Sequence, residues 1–351
     1  MGNGHDWSFV IYNSCVCCFH NLPETDRARN CTYRNKRMIS NENKEVDMIQ
    51  GLPLLDFHCH FPVKGDWFPD YAMDAKVDFD TLGSRDHEDT WRKAYNFPKP
   101  TPPGTDSEMA ELWSKDLLAK GVERMVFVSG GGNERLSRIV SLHPKQFIGF
   151  AHHHPDASDA VGQLEHAFSD LGLKGYKLLG PLIDTDLSDK KYFPLWEVCE
   201  AYKAPVLIHF GLLGAAGGRP DGQNISPMSI ARVTRDFPRV NFVVPHFGCT
   251  HIEDLLQLCW TRPNVFVDSS GSNQWIRWMP YRLTLEDVIR KFVETIGPGR
   301  LIFATDSSWM PRGFASIYLE EQQKLFRFMG LDDQEMRSVF HDNAARLLGL
   351  L

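Results

Sequence analysis

The chain has 351 residues, 42% of them hydrophobic and 24% charged, which is enough to bury one large core or two modest ones. Its 38 Lys and Arg against 45 Asp and Glu give a formal net charge of −7, and the absence of a basic run excludes a nucleic-acid partner from our expectations. The apolar runs are strand-sized, well short of the roughly 20 residues that span a bilayer, and no secretory signal precedes them, so no membrane partner is expected.

The first 50 residues differ in character from the rest. They are polar, show no sustained periodicity, and carry a C-x-C-C cluster at 15–18 and Cys31. Because the spacing matches no common zinc module, we interpret residues 1–50 as a loosely ordered or peripheral arm rather than as a metal-binding module. Eight cysteines in a chain of this length do not make a disulfide framework, which favours a reducing, cytoplasmic setting.

From residue 54 onward, short apolar strands alternate with amphipathic helices. The predicted strands are 54–59, Arg124–Ser129, Phe147–Ala151, Gly175–Leu179, Pro205–Phe210, Asn241–His246, Val265–Ser269 and Leu301–Asp306. Helical patterns fill the gaps, for instance Ser107–Lys120, Ala157–Leu171, Ser226–Phe237, Thr250–Trp260 and Thr284–Ile296. Near-continuous apolar strands that alternate with helices indicate a parallel sheet whose two faces are both covered.

Eight strand–helix units predict an α/β fold, specifically a (β/α)₈ TIM barrel over residues 51–351. A doubly wound open sheet is the alternative. It is disfavoured because no glycine-rich dinucleotide fingerprint follows the first strand, and Gly130–Gly132 has the context of a flexible barrel loop.

Two segments interrupt the alternation. Residues 61–106 contain a stretch of about 45 residues rich in Asp, Trp and Pro, and a connection of that length in a compact domain is usually a lid or a binding loop. The tail, Asp332–Leu351, follows a barrel helix at about 315–330 and is predicted to be one more helix.

Polar side chains stand at the ends of four predicted strands. His58 and His60 end the first, and because alternate side chains share a face of a strand, both point the same way while the cysteine between them faces away. The other strand ends carry His209, His246 and Asp306. One such histidine is ordinarily a satisfied core residue, but this many at one end of a barrel predict a site for a divalent metal.

These motifs together resemble the amidohydrolase superfamily, specifically the amidohydrolase-related branch that includes aminocarboxymuconate-semialdehyde decarboxylase and metal-dependent hydrolases. The resemblance covers about residues 52–351. It rests on DFHCH in the first strand, GYKLL in the fourth, HFG and PHFG after the fifth and sixth, ATDSSW after the eighth, and the closing NAARLLG. Residues 1–50 have no counterpart in it.

The resemblance implies that His58, His60, His209 and Asp306 hold one divalent cation and that His246 is the general acid/base. Imidazoles with a carboxylate suit zinc, or less often manganese, and the ion lowers the pKa of a bound water towards about 7. Asp306 is both a weak ligand and a second proton acceptor in this interpretation.

Five further residues are predicted to bind substrate. Lys177 in the fourth strand is assigned an electrostatic or substrate-binding role, the alternatives being a carbamylated lysine that bridges two metals, as in binuclear relatives, or a pair with Asp268. The triple histidine after the third strand offers His152 or His154, Arg219 suits a substrate carboxylate, and Trp309 suits an aromatic wall.

The function favoured by these residues is a metal-dependent hydrolase of a small ester, lactone or amide that uses metal-activated water. The alternative is a non-oxidative decarboxylase of a small unsaturated or aromatic carboxylic acid with the same metal site. A shortage of arginines at the strand ends favours the hydrolase, and a catalytically silent metal-binding barrel is disfavoured by the full ligand set. Whether the chain forms a homodimer is left open.

Overall fold

The computed structural model describes residues 51–71, 92–212, 219 and 221–351. The predicted arm therefore lies outside the described residues, as does the central part of the predicted lid-like insertion at 72–91. The structural statements below refer to the described part of the chain.

The described residues form eight strands. They are β1 (Leu55–His60), β2 (Arg124–Ser129), β3 (Phe147–Gly149), β4 (Tyr176–Leu179), β5 (Val206–His209), β6 (Phe242–Val244), β7 (Val265–Asp268) and β8 (Leu301–Ile302). All of their pairings are parallel, in the orders β1-β2-β3 and β4-β5-β6-β7-β8.

Single bridges join the two sheets into a closed barrel. Ala151 pairs with Tyr176 between β3 and β4, and Cys59 pairs with Ser307 between β1 and the segment that follows β8. Closure thus puts the first and last strands side by side, so that residues far apart in sequence meet at one rim. The predicted (β/α)₈ barrel is confirmed.

Helices alternate with the strands and cover the outside of the barrel. They are α1 (Asp106–Ala119), α2 (Asn133–Val140), α3 (Ala160–Ser169), α4 (Phe193–Tyr202), α5 (Ala231–Asp236), α6 (Ile252–Thr261), α7 (Leu285–Ile296), α8 (Ser316–Phe328), α9 (Asp333–Arg337) and α10 (Asn343–Leu347). Thr105 and Glu108 form a capping box that starts α1 and so ends the insertion. No helix in the described ranges is long and apolar enough to cross a bilayer.

The apolar core has two parts, as the alternation of side chains along the strands requires. Alternate strand residues, such as Val126, Leu207 and Ile302, fill the barrel interior. Their neighbours, such as Phe127 and Ile208, pack outward against the helices in a second, larger cluster.

The first strand contains a bulge between Asp56 and Cys59, and a second register irregularity lies between Cys59 and His60. Asp56 pairs with Met125 and Cys59 with Phe127, so three steps along β1 are matched by two along β2. Phe57 lies in the interior cluster and Cys59 in the outer one, although the two are of the same parity. The bulge therefore lets Phe57 and His58 both face inward.

Two predictions at the end of the chain are wrong in detail. The tail is not one helix: α9 and α10 are separated by a π-helical turn at Ser338–Asp342. The eighth strand ends at Ile302 rather than at Asp306, because the Phe303 amide donates to Val339 O in that turn rather than to a neighbouring strand. Asn343 completes the contact by donating its side-chain amide to the carbonyls of Pro298 and Leu301.

Candidate metal centre and active site

The carboxyl ends of the strands bring the predicted metal ligands together. His58 and His60 lie at the end of β1, and the closure of the barrel places Asp306, four residues beyond β8, beside them. One ligand atom of each of these three residues lies within 4.8 Å of the others. A single divalent ion is small enough to be shared by donors at that separation.

Hydrogen bonds orient the first two histidines. His58 Nδ1 is 3.0 Å from Asp268 Oδ2, and His60 Nδ1 is 2.6 Å from Ser129 Oγ. With Nδ1 engaged, the Nε2 atom of each ring is left for the site, and His60 Nε2 lies 3.3 Å from Asp306 Oδ1. This is the arrangement in which metal-ligating histidines usually occur, one nitrogen on the ion and the other on an outer partner.

His209, at the end of β5, supplies an independent sign of a missing ligand. Its Nε2 atom is buried and has no hydrogen-bond partner among the described residues. A buried imidazole nitrogen without a partner is costly unless something else binds it. His209 is not within the 4.8 Å group, but its ring lies 5.2 Å from that of His246, at the same barrel mouth.

Burial keeps these imidazoles in the form that binds metals. It lowers the pKa of His58, His60 and His209, and the positive charge of Lys177 or His246 lowers them further. Burial on its own raises the pKa of Asp306, but the hydrogen bond with His60, and the charges that the neighbouring histidines carry when they are protonated, outweigh it and hold that pKa well below its usual range. Neutral imidazoles beside an ionised carboxylate are a fitting donor set for zinc or manganese.

His246 stands beside this group, at the start of a single 3-10 turn after β6. Its ring is 5.1 Å from that of His58, and its Nδ1 is 3.1 Å from Ser270 O and 2.8 Å from Ser270 Oγ. His246 is 3% exposed. Ser270, after β7, holds one side of its ring, and the rings of His58 and His209 lie on the other sides.

The backbone is strained where these residues lie. Positive φ values occur at the non-glycine residues His246, Phe247, Cys249, Asn273 and Asp306. Side chains disfavour that region, and such residues persist where the surrounding structure requires them, frequently at functional sites. The predicted sixth and eighth strands extended to His246 and Asp306, but His246 lies in a 3-10 turn and Asp306 lies in the irregular segment after β8.

Lys177, on β4, lies within the barrel with 1% exposure. Its Nζ is 3.5 Å from His58 Nε2, and it makes no ion pair with a carboxylate among the described residues, so the predicted alternative of a direct pair with Asp268 is not observed. Burial lowers the pKa of the Lys177 ammonium to about 8, while the charges of Asp268 and Asp306 act in the opposite direction.

The histidines after β3 have structural partners. His152 Nδ1 donates to Phe150 O, and its Nε2 accepts from the amide of Gly132 at 2.9 Å, so both nitrogens are occupied in holding the loop after β2. Burial lowers the pKa of His152 to about 4. His154 accepts from the Asp156 amide and donates to Leu182 O. Substrate binding by His152 and His154 remains a prediction. It would require each histidine to replace one of these hydrogen bonds with a hydrogen bond to the substrate.

The other two predicted substrate residues lie in loops. Arg219 forms an ion pair with Asp184 at 2.9 Å. Trp309, three residues beyond Asp306, lies under the guanidinium of Arg312, 3.4 Å from the ring centroid. Arg312 is buried and donates to Asp306 O. Arg312 was not among the predicted site residues, and its guanidinium adds a positive charge at the barrel mouth.

Three further residues belong to the site: Ser129 and Ser270, which were not predicted, and Asp268, which was predicted only as a possible partner of Lys177. Each of them ends or follows a strand, β2 or β7, and contacts a predicted site histidine. A signal was present, since Asp268 is a carboxylate at the end of an apolar strand, as Asp306 is in the prediction. Trp67 and Phe68, just after β1, add aromatic contacts to His60 at 5.8 and 6.0 Å between ring centroids.

Comparison with known proteins gives consistent results. The profile of the Amidohydrolase family (Amidohydro_2) matches residues 55–350. The 2-amino-3-carboxymuconate-6-semialdehyde decarboxylase of Dictyostelium discoideum is 31% identical over 78 residues, a match that spans 22% of this chain and 22% of that relative.

Solved structures share the fold. An uncharacterized TIM-barrel protein from Bordetella bronchiseptica has a TM-score of 0.58 at 21% identity, covering 85% of this chain and 99% of that one. The 5-carboxyvanillate decarboxylase of Novosphingobium aromaticivorans, complexed with manganese and 4-hydroxy-3-methoxy-5-nitrobenzoic acid, has a TM-score of 0.54 at 16% identity, covering 86% and 97%. At these identities the likeness concerns the fold.

Proposed function

This chain belongs to the amidohydrolase family, and on that basis we propose that it is a metal-dependent, non-oxidative decarboxylase of a small unsaturated or aromatic carboxylic acid. The observation that carries the proposal is the buried Lys177 ammonium at the barrel mouth, 3.5 Å from His58 Nε2 and without a carboxylate partner among the described residues. A buried cation of this kind is suited to receive an anionic substrate group. The similarity to a decarboxylase over 78 residues supports the same reaction class.

The competing reaction is hydrolysis of a small ester, lactone or amide, which the same donor set would serve. Our sequence-based preference for it depended on a shortage of arginines at the strand ends. Arg312, buried six residues beyond Asp306 and bonded to its carbonyl, removes that argument. No feature of the described residues specifically favours hydrolysis, and the experiment below distinguishes it from decarboxylation.

His58, His60, His209 and Asp306 would hold the ion, with zinc or manganese as the candidates. When bound, the ion supplies electrostatic stabilisation of negative charge on the substrate. Lys177 would orient the carboxylate that leaves. His246, which rests with a free lone pair on Nε2, would take up a proton from solvent at that atom and deliver it to the carbon that bears this carboxylate. The carbon–carbon bond would break, its electron pair would stay on that carbon to receive the proton, and CO₂ would depart.

The test scores the two reactions separately. Protein loaded with Zn²⁺ or with Mn²⁺ is offered aromatic and unsaturated carboxylic acids, lactones and esters, and CO₂ release and acid release are both measured. CO₂ release from a carboxylic acid, abolished in His246→Ala, is the expected result. Acid release from a lactone or ester without CO₂ from any carboxylic acid would overturn the proposal in favour of hydrolysis.

Lys177 gives the matched comparison. Lys177→Gln should raise KM for a carboxylic acid by about 10- to 100-fold, the contribution of a hydrogen bond to a charged group. Lys174→Gln, an exposed lysine three residues earlier, is the control and should leave KM unchanged. Equal KM values for the two variants would show that Lys177 does not bind the substrate carboxylate.

A further inference from the structure

Asp268 contacts both kinds of histidine in the site. Its Oδ2 is 3.0 Å from Nδ1 of His58, a predicted metal ligand. Its Oδ1 accepts from Ser270 Oγ, and Ser270 Oγ in turn lies 2.8 Å from Nδ1 of His246, the predicted acid/base. One carboxylate at the end of β7 is therefore bonded to the first histidine directly and to the second through a hydroxyl.

Four donors surround this carboxylate. Oδ1 accepts from Ser270 Oγ and from the backbone amides of Ser270 at 2.9 Å and His246 at 3.2 Å, and Oδ2 is bonded to His58 Nδ1. The crowding of donors on Oδ1 fixes the orientation of the carboxylate and so directs Oδ2 at His58. Asp268 is also fully buried, so water does not compete for these sites.

These contacts determine which ring nitrogens carry protons. A carboxylate only accepts, so His58 must present Nδ1–H to Asp268. A carbonyl also only accepts, so His246 must present Nδ1–H to Ser270 O, 3.1 Å away. In both rings the lone pair is then on Nε2, which is the atom needed for binding a metal at His58 and for proton transfer at His246.

We propose that Asp268 and Ser270 are the positioning residues of this site. Asp268 holds His58 in the tautomer that binds metal, and Ser270 holds the ring of His246 in the orientation and tautomer needed for proton transfer. The activity arm of the test below depends on the proposed function. The metal-binding and tautomer arms do not, so a failure of either inference is distinguishable from a failure of the other.

A competing interpretation exists, because donor atoms of His58, His246 and Asp268 also lie within 4.8 Å of one another. If His58, His246 and Asp268 bound a second ion, Nδ1 of each histidine would carry a lone pair instead of a proton. The contact between His246 Nδ1 and Ser270 O favours a proton on that nitrogen, since a carbonyl oxygen and a ring lone pair repel each other at 3.1 Å.

The first arm measures metal affinity. Metal-stripped protein is titrated with Zn²⁺ and with Mn²⁺ against a competing chelator. In Asp268→Asn, the side-chain NH₂ group must face either His58 Nδ1–H or the backbone amides that Asp268 accepts from, and both are donors. Metal affinity should therefore fall by about 10- to 100-fold, as is usual when the outer partner of a ligand is replaced. Ser270→Ala should lower affinity much less than Asp268→Asn, because the Ser270 hydroxyl is the more distant partner of His58 Nδ1, at 3.2 Å against 3.0 Å for Asp268 Oδ2. Unchanged affinity in Asp268→Asn, or a second bound equivalent that this variant alone loses, would overturn the proposal.

The second arm measures kcat and KM. Ser270→Ala should lower kcat by about tenfold, the upper range for one hydrogen bond, with KM and metal content unchanged, and Ser270→Thr should restore most of the loss. The matched control is Ser269→Ala, because the neighbouring buried Ser269 hydroxyl has no hydrogen-bond partner among the described residues. Equal kcat values for the two alanine variants would show that Ser270 does not position His246.

The third arm needs no variant to be active. Protein labelled with ¹⁵N-histidine, metal-free or bound to Zn²⁺, is examined by NMR, and the His246 resonances are assigned by their loss in His246→Ala. A protonated Nδ1 and an unprotonated Nε2 are expected in the wild type. The opposite tautomer would overturn the assignment of Ser270 whatever the activities are.

Discussion

The two ends of the barrel are closed in different ways. At the amino-terminal ends of the strands, Ala344, Leu347 and Leu348 of the last helix and the residue after it pack on interior residues such as Leu55. At the carboxyl ends, the interior is lined by histidines, carboxylates and a lysine, and the backbone takes positive φ values at His246 and Asp306. The first arrangement supplies apolar burial; the second holds polar groups in place with hydrogen bonds and strain.

This difference separates stability from chemistry. Apolar burial contributes to stability in proportion to area, whereas buried polar groups contribute little net stability even when they are fully paired. Substitutions at the amino-terminal end should therefore change the free energy of unfolding, and those at the carboxyl end should change metal binding and rate. The following predictions test that separation, from the largest expected effect to the smallest.

Removing a predicted metal ligand should have the largest effect. His58→Ala and His209→Ala are each expected to lose most of the bound zinc or manganese, about one ion per chain in the wild type, and with it the activity. Elemental analysis of purified protein checks this.

The control is His166→Ala, which removes a half-exposed histidine from the outer helix layer. Its metal content should not change. Wild-type protein that is fully active without metal would contradict the prediction.

Replacing His246 should lower the rate without releasing the metal. We expect kcat of His246→Ala to fall by about 10²–10⁴, the usual contribution of a positioned proton carrier. His246→Asn should be no better, since an amide forms hydrogen bonds but does not transfer protons at neutral pH. If metal content falls in step with kcat, His246 is a ligand and the assigned role is wrong.

Truncating a side chain at the apolar, amino-terminal end of the barrel should lower stability and leave metal binding and rate unchanged. Leu347→Ala removes a buried side chain from the interior cluster, which should lower the free energy of unfolding by about 2–5 kcal/mol. Metal content and kcat of the folded protein should be unchanged. Leu118→Ala, at a position that is 70% exposed, is the control for chemical denaturation. A large change in kcat with no change in stability would mean that the two ends are coupled.

Arg219→Ala should have the smallest effect. The guanidinium is paired with Asp184, whose side chain is 78% exposed, and such surface ion pairs contribute about 0–1 kcal/mol. KM should change by less than about fivefold, the equivalent of 1 kcal/mol. A rise of more than tenfold for a carboxylic acid, with an unchanged melting temperature, would instead support the predicted contact with substrate.

The sequence predicted the barrel because its main signals are local. Each strand is a short apolar run, and a polar residue at the end of such a run is easily recognised, which is why His58, His209 and Asp306 were predicted as ligands. Asp268, the last residue of VFVD, carries the same signal but was predicted only as a possible partner of Lys177, since one carboxylate at a strand end does not identify its partners. Its contacts with His58 and Ser270 depend on the closed barrel.

Other features were out of reach for a physical reason. The exact ends of β6 and β8 depend on where neighbouring segments supply hydrogen bonds, as Val339 O does for Phe303, and no local pattern encodes that. The partners of the predicted substrate residues also depend on the folded chain. Both ring nitrogens of His152 are hydrogen-bonded to backbone groups, and nothing in the triple-histidine sequence indicates this.

The bulge in β1 has a consequence for how this site tolerates change. It is compensated one residue later, because a second irregularity between Cys59 and His60 restores the register: four steps from Asp56 to His60 are matched by four from Met125 to Ser129. A deletion of one residue between 56 and 59 would remove the first irregularity and leave the second uncompensated, so the histidines would lose their present alignment with β2 although every ligand would still be present in the chain. Single-residue length changes here should therefore be far more damaging than most substitutions at the same positions.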